Sequence, residues 1–146
     1  MSDSLQPKLV RLASAPYRPA SPWAWHFARG KLGGDPLFAA LLRPGLLPAS
    51  GRYLDLGCGQ GLLASWLHAA ATLHGGPDWP AEQAAPPQVS AYHGLDMQAT
   101  AIGHARQALA GCPFPVSLEV GDLRDCVLPA ECTEMRHPQP DGIDPC

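Results

Sequence analysis

In the stretch YLDLGCGQG, Asp55 stands two positions ahead of Gly57, Gly59 and Gly61, three glycines that recur at every second residue. Glycines so spaced let a ligand lie against main chain where a Cβ would collide, and ahead of a helix they leave N–H groups aimed at negative groups. An acid two residues before them suits a ligand with a cationic end better than one that offers only a pyrophosphate. Two further acids close apolar runs downstream, Asp96 in YHGLDMQAT and Asp122 in EVGDLRD. A carboxylate at such a place can accept from a pair of hydroxyls or from an amino group. Taken singly, each acid also reads as a turn or helix cap, and the glycines as a tight turn. Their joint occurrence at three successive strand ends argues for a ligand site.

The elements that must position these residues are short and regular. RYLDLG reads as a strand, and GLLASWLHAAATLHGG as a helix with Leu62, Leu63, Trp66, Leu67, Ala70 and Leu73 at helical spacing, stopped by Gly75, Gly76 and Pro77. QVSAYHGLD is a second strand ending in Asp96; Thr100 to Ala110 is an alanine-rich helix with Ile102, Ala105 and Leu109 on one side; PVSLEVGD is a third strand. The alternation predicts an α/β fold with parallel strands, right-handed crossovers and helices on both faces. Residues 1–22, with Pro7, Pro16, Pro19 and Pro22, read as an arm in which a long helix is disfavoured. Two short helical pieces follow, the second capped by Asp35 with Pro36 at its first position and stopped by Pro44 and Gly45.

Length and composition narrow the function classes. A chain of 146 residues is the size of one domain. A net charge of -3 gives no general attraction to nucleic acid or to an anionic membrane, and no apolar window is long enough for a span. No signal peptide is evident, so the expected location is the cytoplasm. The 5 cysteines form no C-x-x-C pair, and Cys126, Cys132, His137 and Cys146 do not match a standard zinc spacing. His68, His74, His93 and His104 read as packing or solvated residues, and Trp23, Trp25 and Trp66 as core or lid packing.

The D-x-G-x-G-x-G pattern from Asp55 through Gly61 resembles the class I S-adenosylmethionine-dependent methyltransferases, with the likeness strongest over 53–61, 92–109 and 116–122. The resemblance implies a partial Rossmann-like, doubly wound parallel sheet in which strands 1–3 are recognisable, preceded by an N-terminal helical arm. It implies S-adenosylmethionine as cofactor, held by Asp55, Gly57, Cys58, Gly59, Gly61, Asp96, Met97, Asp122 and Leu123. Asp55 would serve the methionine end, Asp96 the ribose hydroxyls and Asp122 the adenine amino group, with Cys58 merely small and apolar. Tyr17, His26, Arg29 and Lys31 become candidates for closing the site. The implied reaction is methyl transfer to a small-molecule or lipid-like acceptor; no residue stands where a catalytic base is expected. An NAD-dependent oxidoreductase is the weaker reading, because Leu62 occupies the position of the third glycine in G-x-G-x-x-G.

Two departures from the family pattern stand out. GGPDWPAEQAAPP lengthens the span between Asp55 and Asp96 and reads as a surface loop. Only three of the family's seven strands are recognisable, so strand 1 becomes an edge with an unpaired row of backbone groups. The expected organisation is therefore 1–50 as arm and short helices, 51–125 as the cofactor-binding half of a domain, and 126–146 as an irregular tail. A truncated methyltransferase, a homodimer formed through the strand edge, and a non-catalytic cofactor-binding or interaction fragment are the corresponding expectations.

Overall fold

The computed structural model describes residues 1–126; the expected tail from 127 onward, with Cys132, His137 and Cys146, lies outside the described residues. The elements are α1 (Leu5–Ser14), α2 (Pro22–Gly34), α3 (Pro36–Leu41), β1 (Ser50–Leu56), α4 (Leu62–His74), β2 (Gln88–Asp96), α5 (Ala99–Ala108) and β3 (Val116–Val120). Short 3-10 turns at Ala15–Tyr17 and Leu123–Asp125 join them. The chain is α/β, with three parallel strands in the order β1-β2-β3. No helix among the described residues is long and apolar enough to cross a membrane.

The first 22 residues hold a helix that the proline count disfavoured. Leu5 through Ser14 form a helix in spite of Pro7, because Pro7 sits in the first turn, where its missing N–H has no carbonyl partner to lose. Leu5, Leu9 and Ala13 recur at helical spacing and are fully buried against α4 and α2, with Trp66, Leu67, Ala28 and Leu32 in the same core. Further on, α3 is capped as the sequence implies, Asp35 accepting from Leu37 N at 2.9 Å, and Ser21 caps α2 by accepting from Ala24 N at 2.9 Å. The Trp66 indole N–H donates to the Phe38 carbonyl at 2.8 Å, fastening α4 to α3 in the interior.

The expectation of helices on both faces of the sheet is corrected among the described residues. Tyr53 and Tyr92 are register partners on β1 and β2, and both pack against Ala64 of α4 and Ala105 of α5. Both crossover helices therefore cover one face. Two successive crossovers that step the same way across a sheet place their helices on the same side. Leu54, Leu56, His93, Ser117 and Glu119 point to the other face, belong to neither core cluster, and Leu56 is 46% exposed.

One irregularity marks the β1–β2 ladder. Gly51 pairs with Val89 and Arg52 with Ala91, so Ser90 is a surplus residue, a bulge on β2.

Candidate functional site

The loop from Gly57 to Gly61 is tied to β2, the neighbouring strand. Gly57 N and Cys58 N both donate to the Leu95 carbonyl, at 2.8 and 3.0 Å, and Gly59 N donates to Asp96 Oδ2 at 2.9 Å. The other oxygen of that carboxylate, Oδ1, accepts from Gln98 N at 2.8 Å. Asp96 thus fixes both the glycine loop and the entry to α5. Each of its oxygens keeps a second lone pair for a donor outside the protein.

The three glycines divide into two roles. All have φ in the left-handed region, 78° at Gly57, 55° at Gly59 and 74° at Gly61. A Cβ on Gly57 or Gly59 would meet no atom within 4 Å, so both present bare main chain to open space. At Gly61 the same Cβ would stand 2.7 Å from Leu109 Cδ1, so this glycine lets α4 start against α5. Gly94, which the sequence reading passed over, has a comparable role: its Cβ would lie 2.8 Å from Cys58 Sγ and 2.9 Å from Leu118 Cδ2.

Asp55 is register partner to Gly94 and shares the helix-covered face with Asp96. Tyr92 Oη donates to Asp55 Oδ2 at 2.5 Å. Burial raises the Asp55 carboxyl above its ordinary value; the Tyr92 hydrogen bond opposes that rise and the Asp96 charge adds to it. Two carboxylates whose charges act on each other in a sheltered place favour a cationic ligand. Cys58 is buried, and burial together with the charges of Asp55 and Asp96 pushes its thiol up to about 12. It is a packing residue rather than a nucleophile.

Gln60 lies on the inner side of the loop. The Tyr17 hydroxyl donates to its carbonyl at 2.8 Å, and burial raises the Tyr17 hydroxyl so that it stays a neutral donor. Gln60 is 3% exposed, and among the described residues neither its side-chain Nε2 nor its Oε1 has a hydrogen-bond partner. A buried primary amide without partners is costly.

The remaining expected residues are distributed unevenly. Met97 and Leu123 are 65% and 46% exposed beside Asp96 and Asp122. Asp122 is engaged by its own neighbour: Arg124 Nη2 lies 2.6 Å from Oδ2, and Arg124 N donates to Oδ1 at 2.9 Å. The Arg124 hydrogen bonds hold its carboxyl below the ordinary value. Among the N-terminal candidates only Tyr17 touches the loop. His26 packs at a tilt against Trp25, Arg29 lies over the same ring, and Lys31 pairs with Asp35 at 2.6 Å. The histidines engage elsewhere, His68 with Phe114, His74 with Trp79 and His104 with Trp23, while His93 lies 3.8 Å from Glu119. Trp66 is core, as read from the sequence, whereas Trp23 is 63% exposed and stacked on Phe27. No protein-family model, curated protein or solved structure matches the chain.

Proposed function

We propose that this chain is the cofactor-binding half of a Rossmann-like methyltransferase domain, that the loop and the two acids beside it bind S-adenosylmethionine, and that the protein transfers a methyl group to a small-molecule or lipid-like acceptor. One observation carries the reading. Asp55 and Asp96 share a face at the carboxyl end of a parallel sheet, next to a Gly57–Gly59 turn whose main chain is open and is itself bonded to Asp96.

The residues fit that ligand in kind. Asp55, held by Tyr92, would receive the ammonium group of the methionine end, which relieves the mutual repulsion with Asp96. The free lone pairs of Asp96 would take the ribose hydroxyls. Asp122 fits less directly, since a ligand amino group would have to compete with Arg124. When bound, S-adenosylmethionine supplies a methyl group on a sulfonium centre, and the chain's part is then to hold it and exclude water.

Titration calorimetry of the full chain with S-adenosylhomocysteine, S-adenosylmethionine and NAD tests the reading. Binding of both sulfur ligands without NAD is expected. The absence of binding by either sulfur ligand would overturn it.

A second reading, an interaction module working by strand addition, is favoured by the free side of β1, which pairs with β2 alone among the described strands. Self-association in sedimentation experiments, without any response to S-adenosylhomocysteine, is the result that would favour it.

A further inference from the structure

A groove of about 950 Å³ lies between α1 and α2, lined by Lys8, Arg11, Arg18 and Arg29 together with Ser14 and Trp25. Four of the chain's 10 lysines and arginines converge there, in a protein whose net charge is -3. Asp3 is the one carboxylate in the lining. Lys8 is spoken for in part, since its ammonium lies 2.6 Å from Asp78. Among the described residues no carboxylate stands within ion-pair distance of Arg11, Arg18 or Arg29.

Trp25 explains how two of these charges are held together. The Arg18 guanidinium carbon is 4.3 Å from the centre of the Trp25 ring and that of Arg29 is 4.9 Å from it. A guanidinium anchored by a ring rather than by a carboxylate keeps its N–H fork for another acceptor. Holding two like charges beside one indole is unfavourable unless an anion joins them. The Trp25 ring, already covered, is a support rather than a platform for a ligand.

We infer that this groove is a binding site for a small phosphate-bearing molecule with two or more negative charges. The volume is that of a small-molecule site, not of an extended surface. Three unpaired guanidiniums suit an anion that can take several paired hydrogen bonds at once, as phosphate oxygens do. The site is independent of the glycine loop and of any cofactor bound there.

Calorimetry of the full chain with inorganic tripolyphosphate at low salt is the direct test. Arg18→Gln and Arg29→Gln should each weaken binding about tenfold or more, as the loss of a charge-assisted hydrogen bond implies. Arg43→Gln, the same charge change outside the groove, should alter it by less than about twofold. Trp25→Leu removes no charge yet should weaken binding as the arginine variants do, and Trp25→Phe, which restores a ring, should regain most of the loss. No heat with tripolyphosphate, or an equal effect of Arg43→Gln, would overturn the inference. So would tighter binding, with the same dependence on Arg18 and Arg29, to phosphatidylglycerol vesicles or to a single-stranded oligonucleotide, since the occupant would then be a surface or a polymer.

Discussion

The Tyr92 hydroxyl reaches across from the middle strand of the sheet to the edge strand and donates to Asp55 Oδ2 at 2.5 Å. Tyr92 is 1% exposed, so a phenyl ring would fill the same volume and the change Tyr92→Phe isolates the hydrogen bond. Its loss leaves a sheltered carboxylate short of a donor, which should cost about 1–2 kcal/mol at neutral pH. Urea denaturation at pH 7 measures this; a midpoint equal to the parent's would show that the bond contributes nothing.

Asp55 itself should trade stability for ligand affinity. Its carboxyl is raised in the fold, chiefly by burial, so its contribution is fully present below the unfolded-state value and is lost as pH rises through the raised one. Asp55→Asn removes that loss while the amide oxygen can still accept from Tyr92. Thermal melts should therefore show the variant gaining stability relative to the parent at pH 7, with the gain shrinking as pH falls toward the ordinary Asp value of 3.8. Calorimetry should show its affinity for S-adenosylhomocysteine reduced about tenfold or more. A gain that is the same at both ends of this range would contradict the assignment.

The two classes of glycine should separate on substitution. Gly61→Ala adds a left-handed alanine and a contact at 2.7 Å, so a loss of about 2–4 kcal/mol is expected, part of it recovered when Leu109→Ala is combined with it. Gly59→Ala is strained only in its backbone, at about 1 kcal/mol, but intrudes on the open cradle. The measurements are denaturation midpoints beside S-adenosylhomocysteine affinity. If Gly59→Ala bound as tightly as the parent, the cradle would lie elsewhere.

Tyr17→Phe should loosen the loop from its inner side. The Gln60 carbonyl would lose its donor in a buried place, for a cost of about 1–2 kcal/mol. Amide exchange between Gly59 and Gly61 should quicken more than exchange in β3. Uniform quickening throughout the chain would mean that Tyr17 acts only through global stability.

Much of this architecture was legible in the sequence. The three strands and the helices after the glycine loop and after Asp96 lie close to where the apolar runs and Gly/Pro stops put them, β2 spanning Gln88–Asp96 as read. Two things misled. A count of prolines hid α1, because the position of Pro7 in the first turn matters more than its presence. The expectation of helices on both faces overlooked that β1, β2 and β3 follow one another across the sheet. Within the candidate site, Asp55, Gly57, Gly59, Asp96 and Asp122 could be named from the glycine spacing, the strand ends and the family resemblance. Tyr92, Gly94 and Gln60 could not, since their roles arise from cross-strand register and from close approach of the loop to β2.

The bulge at Ser90 has a consequence in parity. Counting by twos from Val89 along β2 ends on Leu95; counting by twos from Tyr92 ends on Asp96. In a regular strand these are opposite sides, and a chain could place Val89 toward the helices or Asp96 toward the glycine loop, but not both. Val89 nevertheless packs into the helix-side core together with Tyr92, three residues further on. The surplus residue changes odd for even partway along the strand, so one end can be chosen for anchorage and the other for chemistry.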